Sequence, residues 1–133
     1  MALEGIQNIS VELNAVDLAA GANTIATFPA QTVILAAGVE VTEALTGASA
    51  LTFDIGTGAD DDEFVAAYAM ASKSVGAVAP SIPGIAYVGA EDTLDLTVDT
   101  LTGTATAGKL RVWALVMDVD GRGANEVDRD ALA

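Results

Sequence analysis

The 133-residue sequence contains neither cysteine nor histidine. Those absences exclude disulfide frameworks, thiolate and imidazole metal sites, cysteine nucleophiles, and the side chain that most often serves as general base near neutral pH. Positive charge is scarce as well: Lys73, Lys109, Arg111, Arg122 and Arg129 stand against 19 acids, for a formal net charge of −14. The first 72 residues hold ten acids and no Lys or Arg. Nucleic acid and anionic membrane repel such a surface, so neither is an expected partner, and a protein partner should present basic groups. Aromatics are only 5% of the chain, which leaves few platforms for stacking sugars. Long apolar runs are missing too. The longest uncharged stretch, Leu18 to Val39, is interrupted by Gly21, Asn23, Pro29 and Gln31, unlike the roughly 20 predominantly apolar residues of a spanning helix. The start, MALEGIQNIS, lacks the basic residue and apolar block of a secretory signal. A soluble protein made in the cytoplasm is expected.

What is present is aliphatic and small. Hydrophobic residues make up 52% of the chain, but 27 of them are Ala, so the core should be lean. One domain over residues 1–120 is expected, because a chain of this size removes about two-thirds of its unfolded surface from water. Residues 121–133, GRGANEVDRDALA, lack periodicity and read as a C-terminal arm or disordered tail.

Period two dominates. Ile9, Val11 and Leu13 alternate with Ser10, Glu12 and Asn14; Leu51, Phe53 and Ile55 with Thr52, Asp54 and Gly56; Leu94, Leu96 and Val98 with Asp95 and Thr97. Each pattern is that of a strand with one buried face. Ile25–Phe28 reads as a short strand stopped by Pro29, and 31–46 as one strand or two, with Gly38 marking a bulge or bend. In KLRVWALVMDVD the faces Leu110, Val112, Ala114, Val116 and Trp113, Leu115 are both apolar in the middle, as for a central or interfacial strand. Turn signals stand at 20–23, 46–48, 56–58, 80–84, 89–92, 102–108 and 120–123. The expected fold is all-β: an antiparallel β-sandwich or jelly roll of about seven or eight strands. One short helix is expected near 62–72, where EFVAAYAMAS puts Phe64, Ala67, Tyr68 and Ala71 on one face.

The acids Asp60, Asp61, Asp62 and Glu63 invite a metal or catalytic reading. As an EF-hand loop started at Asp54, the stretch offers Gly56 and Gly58 as ligands and Val65 where the bidentate Glu belongs, so the pattern fails. The loop from Asp118 fails likewise, with Arg122 and Arg129 at ligand positions. Capping the start of the expected helix explains the four acids better. No metal site is therefore expected. Carboxylate pairs at glycosidase spacing carry no information among 19 acids, and GTGADDDE lacks the Lys of a phosphate loop. Neither catalytic residues, a cofactor nor a small-molecule substrate is expected, and the chain does not read as an enzyme.

Two features point outward. Trp113, the sole tryptophan, fills the core or anchors a subunit contact, as tryptophan often does at interface centres. The uncharged segment Val75–Gly89 is apolar enough that, left exposed, it would form an unusually large patch; it plugs one end of the sandwich or packs on another chain. Val78, Ile82, Ile85, Tyr87 and Trp113 are the candidate contact residues.

Three stretches together carry a family resemblance. VELNAVDLAAGANTIATFPA, then GVEVTEALTGASALTFDIGTGADDDEFVAA, and a closing KLRVWALVMDVD resemble the head decoration (cement) proteins of tailed bacteriophages over roughly residues 9–120. The resemblance implies an all-β virion protein on the outer capsid surface, often a homotrimer. Such a protein bridges subunits of the major capsid protein non-covalently and has no catalytic residues. A phage tail or fibre component of similar composition is the alternative within viruses. A secreted or surface carbohydrate- or calcium-binding β module is the alternative outside them.

Overall fold

The computed structural model describes residues 6–79 and 86–118. Its organising feature is a pair of long antiparallel strands, β3 (Thr32–Thr57) and β7 (Asp92–Asp118), matched from Thr32 opposite Asp118 to Thr57 opposite Leu94. At one end of this ribbon, β1 (Ile6–Asn14) pairs with β7 in unbroken register from Ile6–Met117 to Asn14–Lys109. There β5 (Val78–Ala79) and β6 (Ala86–Val88) flank β3 on its other side. At the opposite end, β2 (Gly21–Phe28) lines β7 and β4 (Val65–Ala69) lines β3. Each end of the ribbon thus becomes a sheet with β7 and β3 at its centre. The two sheets share one buried cluster that includes Ile34, Val39, Val41, Leu110, Val112 and Val116 from one end and Leu51, Phe53, Ile55, Leu94 and Leu96 from the other. The molecule is an all-β sandwich, as the period-two patterns imply.

Between the two sheets the ribbon has no third strand, and its side chains are largely exposed over 43–50 and 99–107. The expected turns at 46–48 and 102–108 fall here, inside continuous strands. Their glycines serve as irregularities in the ribbon instead of reversing the chain. Register shifts cluster between Val41 and Ala50, and Gly47 and Gly103 adopt φ of 89° and 85°. A Cβ at Gly47 would collide with the Thr104 carbonyl oxygen, so the position requires glycine twice over. The bulge or bend expected at Gly38 is absent there. Gly38 pairs regularly with Trp113, and the shift lies between Ile34 and Ala36.

No helix forms over 62–72. Residues 65–69 are the edge strand β4, and Met70–Ser72 make one 3₁₀ turn. An isolated helix of this length gains little in water, whereas the open edge of β3 offers backbone partners: Thr52 pairs with Ala69, Phe53 with Tyr68, and Ile55 with Val65. Phe64, Val65, Tyr68 and Met70 are buried, while Ala67 and Ala71, assigned to the buried helix face, are exposed. The Phe53 and Tyr68 rings meet at 5.3 Å between centroids. The structure is described as far as Asp118; residues 121–133, expected as a C-terminal arm or tail, lie outside the described residues.

Candidate functional site

Two outward surfaces carry the candidate residues. The first is the solvent face of the sheet β1–β7–β3. Leu110, Val112, Ala114 and Val116 point into the core, so Arg111, Trp113 and Leu115 point out. Trp113 is half-buried, which places it on this face and outside the core. Its direct neighbours across the sheet are Ser10 on β1 and Gly38 on β3. With so little bulk on either side, the indole stands above the sheet. Leu115, 36% exposed, lies between Asn8 and Ala36, and Ile6, 62% exposed, lies opposite Met117. One register row away from Trp113, Val78, Glu40, Arg111 and Glu12 run side by side. Arg111 sits 3.8 Å from the Glu12 carboxylate and 3.7 Å from that of Glu40. Exposed pairs of this kind contribute little to stability.

The fold therefore brings Val78 and Trp113 to one face, with Val78 55% exposed at its edge. The Tyr87 backbone pairs with Val33, which itself pairs with Met117. Ile82 and Ile85 lie outside the described residues.

The second surface is the loop between β3 and β4. The Thr57 N–H donates to the Asp60 carbonyl at 2.8 Å, the Asp60 N–H to Thr57 Oγ1 at 3.2 Å, and the Phe64 N–H to the Ile55 carbonyl at 2.9 Å. These bonds fold the loop back over the end of β3. Gly56 makes the approach possible, because a Cβ there would collide with the Asp60 carbonyl oxygen. With no helix to cap, the acids lie in a turn, and Asp60, Asp61 and Asp62 each offer a carboxylate oxygen within 4.8 Å of the others. Hydrogen bonding from the Asp62 and Glu63 carboxyls lowers the Asp60 pKa, while the same contacts with Asp60 raise those of Asp62 and Glu63. On the neighbouring strand, contact with Asp54 raises the pKa of Asp99.

Sequence reasoning confined this cluster to residues 60–63. Asp54 and Asp99 join it through the β3–β7 register, and their only sequence signal was their place on the polar side of an alternating strand. Asp54 is buried, and its Oδ1 accepts the Ala67 N–H at 2.6 Å, fixing the bulge in β4.

No family model matches the chain, and no curated protein matches it by sequence. Solved structures do match it in fold. A chain of the cyanophage Pam1 capsid asymmetric unit superposes with a TM-score of 0.68 at 16% identity, over 90% of this chain and 93% of that one. A chain of the Helicobacter pylori bacteriophage KHP30 capsid gives 0.60 at 12% identity, over 84% and 91%. A chain of the Ralstonia phage GP4 capsid gives 0.61 at 15%, over 86% of each. The fold is one found in bacteriophage capsids. Coverage is high on both sides, so each matched chain is itself of about this length.

Proposed function

We propose that the protein is a structural component of a tailed-phage virion, specifically a decoration (cement) protein that binds the outer surface of the head. It would stabilise the shell by non-covalent bridging of major capsid protein subunits. The observation that carries this reading is the likeness in fold to chains of phage capsids that are themselves only about as long as this one. A short sandwich with an exposed sheet face suits attachment to a shell that others build. The face around Trp113, Leu115 and Val78 is the proposed contact, since exposed apolar side chains cluster there and tryptophan is enriched at interface centres. A homotrimer, implied by the resemblance to cement proteins, would let modest contacts act together, because linked contacts dissociate together. The role assigns no catalysis to any residue.

Adding purified protein to phage heads that lack it, then sedimenting them, tests the proposal. Saturable co-sedimentation at a fixed number of copies per head, with greater resistance of the heads to heat, is the expected result. Failure to co-sediment with heads, or binding only to tails under electron microscopy, would refute it. Light scattering of the free protein distinguishes a trimer from a monomer.

A further inference from the structure

Given the attachment to a phage head proposed above, on which this rests, we propose that the open edge of β1 receives an extended segment of the shell-forming protein as an additional strand. An uncovered sheet edge offers a row of unpaired N–H and C=O groups to other chains, and proteins usually blunt it with bulges, brevity, Pro or Lys. Three of the edges here are blunted in that way. The register of β2 breaks between Thr24 and Ala26. β4 has five residues, a register shift, and Ala67 at φ 51°. β5 and β6 have two and three residues, with Pro80 and Pro83 in the sequence between them. The edge at β1 carries none of these devices. Its nine residues run in unbroken register, without Pro or Lys, and its one charge, Glu12, is paired with Arg111. Among the described residues, the β1 backbone finds its partners on β7 alone.

The side chains make the same point independently. Ile9, Val11 and Leu13 stand opposite Ala114, Val112 and Leu110, all fully buried, yet they are themselves only half-buried. Ile9 and Leu13 pack against the buried cluster, so the core is left partly uncovered along β1. A strand with apolar side chains at alternate positions would cover it while continuing the hydrogen-bond ladder, the arrangement of β-augmentation. Charge selects the occupant. A second copy of this chain brings its own −14 and is repelled, whereas a neutral or basic segment is not. The edge also adjoins the proposed contact, since Ser10 lies beside Trp113 and Asn8 beside Leu115, so one partner engages both.

The test decorates phage heads that lack the protein and compares amide hydrogen exchange of the bound and free chain, residue by residue. Every second amide of β1, those pointing away from β7, should slow about tenfold or more on binding, while the intervening amides, already bonded to β7, change little. Val11→Lys puts a charge on the half-buried strip, a device by which edges refuse a strand, and should weaken head binding about tenfold. The exchange pattern of the wild type decides the matter even where this variant folds poorly. Saturable decoration with β1 amides exchanging as in the free chain overturns the strand addition and leaves the decoration itself standing. Failure to decorate heads at all overturns both. A free chain that dimerises with its β1 amides protected gives the edge to a second copy and likewise overturns the proposal.

Discussion

Tyr68 is the clearest single-residue tension in the core. Its ring packs on Phe53 and lies under the Lys73 ammonium at 5.3 Å, yet its hydroxyl is buried without a hydrogen-bond partner. Burial raises its pKa above that of a free tyrosine. The folded state therefore holds the phenolic proton more tightly than the unfolded chain, and the associated stability is present below about pH 10 and lost as pH rises through the folded pKa. Tyr68→Phe keeps both ring contacts and removes the unpaired hydroxyl, whose desolvation costs about 1–3 kcal/mol. Urea unfolding at pH 8 should find the variant equal to wild type or up to about 1 kcal/mol more stable. At pH 11 its advantage should widen, since only the wild type has a buried phenol to ionise. An advantage that stays constant or shrinks would mean that the hydroxyl reaches water or a partner.

At the scale of the strand, the ribbon explains where sequence reasoning succeeded and where it stopped. The alternations around Val11, Phe53, Leu96 and Val112 were legible because a half-buried strand writes its two faces directly into the chain. Leu110, Val112, Ala114 and Val116 are buried together, as their spacing implies. The union of those strands into two of 26 and 27 residues was not legible. Gly in a Thr- and Ala-rich stretch signals a turn and a bulge alike, and only the partner strand decides between them. Residues 62–72 failed for the related reason that helix propensity, even that of an Ala-rich stretch, is a weak prior that tertiary context overrides, and the edge of β3 claims it. The acidic loop kept its sequence position and lost its explanation, because the helix it was meant to cap does not exist. Gly47 tests the ribbon. Gly47→Ala combines a left-handed backbone with a clash against Thr104, and overpacking and strain of this kind cost about 1–3 kcal/mol. The denaturation midpoint should fall accordingly. A neutral substitution would mean that the ribbon between the sheets is looser than its pairing.

For the whole molecule, the acidic turn at residues 60–63 lies at the sheet that carries β4, and the proposed contact around Trp113 lies on the sheet that carries β1, so the two can be altered separately by substitution. Trp113 is the only tryptophan, which makes its fluorescence a report from the proposed contact alone. Because it projects between Ser10 and Gly38, away from the buried cluster, Trp113→Ala should leave the melting temperature within a few degrees of wild type. If the β1–β7–β3 face meets the capsid, wild-type emission should shift to the blue on binding and lose accessibility to acrylamide. Trp113→Ala should then bind at least tenfold more weakly, since an interface anchor contributes about 2 kcal/mol or more and 1.4 kcal/mol corresponds to tenfold. Leu115→Ala should follow in the same direction with a smaller loss. Raising salt should change the affinity of wild type and Trp113→Ala by a similar factor, because the substitution removes no charge. A tryptophan that stays open to quencher on a fully decorated head would move the contact to another face of the sandwich while leaving the fold as described.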